Sequence, residues 1–407
     1  MDRTLFVTND FPPRAGGIQA FVHGIASRLD PASVVVYAPR WKGCEAFDAR
    51  QPYEVVRHPT SLMLPTRQVA RRAAELARDC RAVVFGAAAP LGLLAPVLRD
   101  AGARRVVMLT HGHEASWARL PIARDVLRRI GEGADVVTYL GGYTRRHLAP
   151  HIADTRLVRL APGVDTTVFH PGAGGAEVRK SLGLGGRPVV VCVSRLVPRK
   201  GQDILVRAWP LVRARVPDAV LLLVGGGPSR GALRRMADRS GLRDSVLFTG
   251  SVPWSALPSY YDAGDVFAMP CRTRLGGLDV EGLGIVYLEA SATGLPVVAG
   301  ASGGAPDAVR HGETGLVVDG TSHEEVAAAL VELLSDPARA RAMGERGRAW
   351  IEEEWRWDLV AARFSALLAP ESAGFSAPLA PESAGEEPAA PSRDRVIPGG
   401  GGQEAQP

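Results

Sequence analysis

Short apolar runs, most of them rich in valine, return along this chain with helix-length or glycine- and proline-rich stretches between them. In the first half they fall at Thr4–Thr8, Ser33–Ala38, Ala82–Gly86, Arg105–Thr110 and Asp135–Leu140. The second half repeats the pattern at Pro188–Val193, Ala219–Val224, Ser245–Thr249, Asp265–Pro270 and Pro296–Ala299. Near-continuous apolar runs are the mark of strands buried on both faces, and strands alternating with helices imply parallel sheets. The fold class is therefore α/β, with two doubly wound units. A length of 407 residues, 46% of them hydrophobic, also exceeds what a single core usually supports. Glycine and proline cluster between Pro162 and Gly186, which places the linker there. The expected domains are 1–170 and 171–350, followed by a helical segment, 351–368, and a tail, 369–407.

Two stretches depart from the pattern. Ala82–Leu98 carries no charge, but it is short for a membrane span and is interrupted by Gly86, Pro90, Gly92 and Pro96, so it reads as a buried strand and helix. From Pro370 onward the chain is rich in Pro, Ala, Gly, Glu and Ser with few large apolar residues, and LAPESAG occurs at Leu368–Gly374 and again at Leu379–Gly385. Such a composition buries too little apolar surface to order itself, which predicts a disordered tail outside the catalytic unit.

Charge and cysteine usage narrow the function classes. Residues 1–165 hold 23 Arg and Lys against 15 Asp and Glu, so the net charge of +5 conceals a basic first half. Arg67, Arg71 and Arg78 fall on one side of a predicted helix from Thr66, and Arg124, Arg128 and Arg129 mark a second basic helix. Both suit an anionic membrane surface, and equally a solvated arginine face. No aromatic platform accompanies the charge, which argues against nucleic acid. Cys44, Cys80, Cys192 and Cys271 show no paired spacing, and no cationic, apolar leader opens the chain. A cytoplasmic protein with reduced thiols is expected.

The candidate chemistry lies at strand ends. Asp279-Val-Glu-Gly-Leu-Gly-Ile-Val-Tyr-Leu-Glu289 sets Glu281 and Glu289 on either side of a Gly282-Leu283-Gly284 turn. A glycine turn opening a helix can hold a phosphate on free N–H groups, and flanking carboxylates can accept from sugar hydroxyls. An ordinary acidic helix start has the same appearance. Ser194-Arg195-Leu-Val-Pro-Arg-Lys200-Gly201 follows a strand directly, and Lys200 is one of only three lysines beside 45 arginines. Arg195 and Lys200 at a sheet's carboxyl edge fit a diphosphate. Asp10, Gly16 and Gly17 belong to Thr8-Asn-Asp-Phe-Pro-Pro-Arg-Ala-Gly-Gly-Ile-Gln19 after the first strand, and Thr110-His-Gly-His-Glu114 ends the fourth. A dinucleotide fingerprint is not intact, because Arg230 stands where the third glycine after Val224 belongs.

Taken together, Arg195-x4-Lys200, Glu281-x7-Glu289, the early glycine loop and the strand-end histidine resemble the retaining glycosyltransferases of family 4, over about residues 1–368. The strings TNDFPPRAGGIQ, THGHE, SRLVPRKGQD and GLDVEGLGIVYLEA look most like the branch of that family that adds mannose from GDP-mannose to phosphatidylinositol monomannoside. The resemblance implies the GT-B fold, two Rossmann-like domains across a cleft, with the last helix returning to the first. It implies that Glu289 holds the ribose and Glu281 the sugar hydroxyls, with Arg195, Lys200 and the amides of Gly282, Leu283 and Gly284 at the diphosphate. His111 would face the donor sugar, with His113 as a second candidate, and the base would lie near Gly250 and Val252. Asp10, Gly16 and Gly17 would border a phosphate or the acceptor, a phosphoinositide glycolipid, on the inner face of the plasma membrane. No Asp-x-Asp triplet occurs, and neither a metal nor a cofactor is expected. Spacing alone does not read guanine over uracil. Another family 4 transferase with a different sugar nucleotide or acceptor, or a non-catalytic sugar-nucleotide-binding module, fits the same spacings.

Overall fold

The computed structural model describes residues 3–153 and 156–369. All ten apolar runs become strands, and three further strands join them. The first sheet contains β1 (Arg3–Val7), β2 (Val34–Pro39), β3 (Glu54–His58), β4 (Cys80–Phe85), β5 (Arg105–Met108), β6 (Val136–Tyr139) and β7 (Leu157–Arg159), in the order β3-β2-β1-β4-β5-β6-β7. The second contains β8 (Val189–Val193), β9 (Val220–Val224), β10 (Val246–Gly250), β11 (Val266–Met269), β12 (Val297–Gly300) and β13 (Gly315–Val318), in the order β10-β9-β8-β11-β12-β13. Every strand pairing is parallel, with Leu5 opposite both Val35 and Val83 at the centre of the first sheet. The strands that the apolar pattern misses, β3, β7 and β13, are all at sheet edges. An edge strand is half solvated and needs no continuous apolar run; Glu54-Val-Val-Arg-His58 is exposed or half-buried at every position but the last.

Both sheets reverse their order once, between β1 and β4 and between β8 and β11. Loops at the carboxyl ends of these strands are where ligands gather in doubly wound folds. The two lobes belong to one contact unit. The chain passes between them twice at one place, where the Val164 N–H donates to the Trp355 carbonyl at 2.7 Å. Residues 351–354 continue the helix Pro337–Glu354, whose Trp350 and Ile351 sit in the second lobe's core. The return to the first lobe therefore starts at Trp357. The helix Trp357–Leu368 buries Val360, Phe364 and Leu367 against Phe6 and Phe21, with the Phe6 and Phe364 rings 6.0 Å apart. Full burial of one such side chain stabilises by about 1.5–3 kcal/mol.

The basic helices are amphipathic. In Arg67–Ala77, capped by the Thr66 hydroxyl, Val69, Ala73 and Ala77 are buried at i, i+4 and i+8, while Arg67, Arg71 and Arg72 are exposed. In Pro121–Gly133, Leu127 and Ile130 are buried and Arg124, Arg128 and Arg129 are exposed. The charge-free run resolves into β4, a tight turn at Leu91–Leu94 and the helix Ala95–Asp100. Among the described residues, no helix is long and apolar enough to cross a membrane. All four cysteines are buried and unpaired. The tail from Pro370 lies outside the described residues.

Candidate active site

The loops at the carboxyl ends of the two sheets meet. Ser116 Oγ donates to the Leu278 carbonyl at 3.2 Å, Arg119 Nη1 to the Gly276 carbonyl at 2.8 Å, and the Tyr143 N–H to Asp307 Oδ2 at 3.1 Å. Gly112 and Gly282 also approach backbone to backbone. Gly112 has φ +94°, and a Cβ there would lie 2.7 Å from Gly282 Cα. Only two glycines allow the backbones to approach this far, and they carry the two predicted sites, the loop of His111 and the turn of Glu281, to one point.

The helix Ile285–Ala292 begins after Gly284 at φ +82°, and no side chain caps it. Its unsatisfied N–H groups and positive dipole end favour an anion. Glu281 lies just before this turn and is not free: Lys200 Nζ donates to its Oε2 at 2.6 Å, with Arg199 Nε at 3.7 Å. Lys200 and Glu281, expected to serve separate parts of a ligand, thus form a largely buried ion pair. Breaking such a pair leaves an uncompensated charge, so the two act as a unit. Arg199 also binds Asp279 at 3.1 Å, two residues before Glu281, which ties this segment to the loop after β8. Arg195 is exposed, and its backbone is steadied by buried Gln202, which donates to Ser194 Oγ and to the Arg195 carbonyl.

Glu289 is on the same helix, one turn further in, and is almost fully buried. The Tyr261 O–H donates to its Oε2 at 2.7 Å. Burial pushes the Glu289 carboxyl up to about 7, against the downward pull of that hydrogen bond. The Leu283 side chain is 3% exposed and belongs to the core, which leaves its backbone amide to face a ligand. The Gly250 carbonyl, at the end of β10, already accepts from the Gly225 N–H and the Thr249 hydroxyl, and Val252 packs half-buried beside the core.

On the first lobe, His111 Nε2 lies 2.6 Å from the Gly86 carbonyl. A carbonyl only accepts, so Nε2 carries the proton and Nδ1 is left as an acceptor. Burial lowers the His111 pKa, which keeps the ring neutral near pH 7. Its own N–H donates to Glu114 Oε2 at 2.9 Å, and Phe21 meets the ring edge-on at 5.7 Å. His113 is more exposed and stacks 6.3 Å from His111, with Nε2 3.3 Å from Glu114 Oε1. Asp10 accepts from Gln19 Nε2 at 2.6 Å, bracing the loop that leads through Gly16 and Gly17 into the helix Gly17–Ala26. A Cβ on Gly17 would meet nothing within 4 Å, so its backbone faces open space. Among the described residues, no three histidine, cysteine, aspartate or glutamate side chains gather to hold a metal ion.

Sequence reasoning missed Tyr261, Glu114 and Asp307. Glu114 had a signal in its place beside two histidines at a strand end. Tyr261 and Asp307 had none, because their partners are remote in the chain.

Comparison with known proteins covers both lobes. The family model Glycosyltransferase Family 4 matches residues 15–168, and Glycosyl transferases group 1 matches residues 176–350. A GDP-mannose-dependent alpha-(1-6)-phosphatidylinositol monomannoside mannosyltransferase of Mycolicibacterium smegmatis is 55% identical over 373 residues, 90% of this chain and 98% of the relative. The Corynebacterium glutamicum protein named as acting on the monoacylated form is 47% identical over 377 residues, 91% of this chain and 98% of its own. Among solved structures, Anabaena HepE in complex with UDP superposes with TM-score 0.78 at 19% identity, covering 90% of this chain and 99% of that one. WaaG, a glycosyltransferase involved in lipopolysaccharide biosynthesis, superposes with TM-score 0.66 at 18% identity, over 90% of this chain and 100% of its own. At such identities these two likenesses speak for the two-lobed fold alone.

Proposed function

This chain belongs to glycosyltransferase family 4, and on that premise we propose that it transfers mannose from GDP-mannose to phosphatidylinositol monomannoside, with retention and without a metal, forming the dimannoside. The observation that carries this reading is the convergence of His111 with Lys200, Glu281 and Glu289 where the two sheets' carboxyl ends meet. Relatives named for this reaction, aligned over nearly their whole length, supply the donor and acceptor.

In the proposed complex, Glu289 accepts from the ribose hydroxyls. Arg195, Lys200 and the amides of Gly282 to Gly284 face the diphosphate. As the bond between the anomeric carbon and the phosphate oxygen breaks, negative charge grows on the leaving GDP, and these groups stabilise it in place. Glu281, held by Lys200, accepts from mannose hydroxyls, so the same ion pair spans sugar and phosphate. His111 Nδ1, neutral and lacking a proton, accepts from a sugar hydroxyl and orients the ring; it does not donate. The acceptor hydroxyl enters on the face that GDP leaves, and its proton passes to the departing phosphate oxygen. Asp10, Gly16 and Gly17 border the acceptor, and Gly250 and Val252 the base.

The acceptor is a lipid, and the first lobe suits a surface of lipids. Beside the exposed arginines of Arg67–Ala77 and Pro121–Gly133 stand exposed apolar side chains, Leu62 and Leu64 before the first helix and Leu120 and Ile122 at the start of the second. Apolar residues to insert and cations to meet anionic headgroups together describe an interfacial contact, which we place at the inner face of the plasma membrane.

Mass spectrometry of lipid products, after incubating the protein with GDP-mannose and acylated phosphatidylinositol monomannoside in EDTA, tests the reaction. A gain of one hexose, absent with UDP-glucose, is expected. Product only with another donor would replace the donor assignment, and a requirement for metal would overturn the proposed charge stabilisation.

A further inference from the structure

Glu289 is a nearly buried carboxylate with one protein hydrogen bond to its side chain among the described residues, from Tyr261. Tyr261 lies at 0% exposure in the helix Leu257–Asp262, and its ring is wedged edge-on against Phe169 at 5.7 Å and tilted on Phe267 at 5.7 Å. A ring fixed in this way has no freedom to move its hydroxyl. The hydroxyl therefore sets where the Glu289 carboxylate stands, rather than following it.

We propose that Tyr261 is a positioning residue of the donor site: by donating to Oε2 of Glu289 it presents Oε1 to the ribose diol and favours the charged form that the diol requires. The inference rests on the reading of Glu289 as the ribose ligand. A carboxylate oxygen has two acceptor sites, so Oε1 and the remaining site of Oε2 are left for two hydroxyl donors. A protonated carboxyl, by contrast, would turn a donor toward the sugar.

The surroundings leave this task to Tyr261. Lys200 is committed to Glu281. Arg348, from the helix packed behind, donates to the Ala292 carbonyl, and Asp307 faces the first lobe at Tyr143. The buried Cys192 thiol lies near Tyr261 on β8 and carries no charge near neutral pH, since burial pushes it up to about 12. Burial alone drives Glu289 toward the neutral form, and the Tyr261 hydrogen bond is the opposing influence. Removing a hydrogen bond to a charged group should therefore move the Glu289 titration upward, by roughly one pH unit.

The test is isothermal titration of GDP into the wild type, Tyr261→Phe and Glu289→Gln proteins between pH 6 and 9, repeated with 2′,3′-dideoxy-GDP. Titration of the nucleotide's own phosphate is common to all three and cancels in the comparison. Tyr261→Phe should bind GDP about tenfold more weakly near pH 7, with the gap narrowing at high pH and the midpoint of the pH dependence moved up by about one unit. The dideoxy nucleotide should bind wild type and Tyr261→Phe alike. Incorporating 3-fluorotyrosine at 261, a stronger donor, should move the midpoint down and guards against a phenylalanine variant that does not fold. Equal affinity and midpoint for GDP in wild type and Tyr261→Phe would overturn the proposal. So would an equal loss for GDP and its dideoxy analogue, which would mark a purely structural role. If Glu289→Gln binds GDP as wild type does, the ribose assignment itself falls, a result distinct from the failure of Tyr261 alone.

Discussion

Replacing Gly112 by alanine should disable transfer while leaving both lobes folded. The methyl carbon would lie 2.7 Å from Gly282 Cα and 3.4 Å from its carbonyl oxygen, where ordinary contact begins at 3.4 Å. The obstacle is backbone, not the end of a flexible side chain, so the lobes must part by roughly 0.7 Å at this point. The φ of +94° adds a local cost of about 1–2 kcal/mol for an L-residue. His111 precedes Gly112 directly, so the displacement falls on the group proposed to face the donor sugar. A misplacement approaching 1 Å can cost about a hundredfold in rate, and kcat/KM should drop by roughly 10- to 100-fold. Steady-state mannosyl transfer measures the loss, and GDP titration should change by no more than about twofold, since the proposed nucleotide contacts all come from the second lobe. Gly43→Ala is the control: its φ is +84° and a Cβ there meets nothing within 4 Å, so it carries the backbone strain without the contact. If Gly112→Ala keeps turnover within about twofold of wild type, or if Gly43→Ala loses as much, the close approach of the lobes is not what assembles the site.

Arg195→Ala and Lys200→Ala should each lower turnover by about tenfold or more, since a charge-assisted contact is worth about 1.5–3 kcal/mol. Thermal unfolding should separate them, with Lys200→Ala destabilised by up to about 3 kcal/mol because Glu281 keeps only the longer Arg199 contact, and exposed Arg195→Ala unchanged; equal melting temperatures would discount the ion pair. The pH profile of kcat should hold its acid limb below about 6.5, because desolvation keeps the half-buried His111 ring neutral and its folded pKa lies under the unfolded value. Its contribution to stability is correspondingly present above that pH and lost as pH falls; an acid limb of kcat at or above pH 7 would contradict a neutral, accepting imidazole. Reversing Arg67, Arg71 and Arg78 to glutamate should weaken sedimentation with phosphatidylinositol vesicles by about a hundredfold, at about 1 kcal/mol per cation. Transfer to a short-chain soluble acceptor should stay near wild type, and unchanged vesicle binding would remove this helix from the membrane contact.

Among the described residues, the nine central strands were legible because central strands of parallel sheets are buried on both faces and so leave unbroken apolar runs, and the edge strand β10 was legible as well. The edge strands β3, β7 and β13 were not, since half-solvated positions carry no such constraint. The helix that begins after Thr66 was expected from its arginine spacing, and its start is fixed by the Thr66 hydroxyl, which caps it. The return of the last helix was expected from resemblance, but its start at Trp357 depends on which core Trp350 and Ile351 enter, and no local pattern carries that choice.

The site divides in the same way. Arg195, Lys200, Glu281, Glu289 and His111 could be singled out from the sequence because each sits at a strand end within a short spacing, and spacing is a property of the chain. Which groups touch was decided by tertiary structure alone. Lys200 and Glu281, 81 residues apart, become an ion pair because β8 and β11 are neighbours at the point where the sheet order reverses. Tyr261 reaches Glu289 across 28 residues, and Asp307 meets Tyr143 across 164, only once helices and lobes have packed. Burial in the folded molecule also moves the Glu289 and His111 titrations in opposite directions, because it disfavours the charged form of each. The sequence by itself determined which residues stand at the strand ends and with what chemistry. Their pairing, burial and charge state belong to the folded molecule, because those depend on distances through space that the order of residues does not contain.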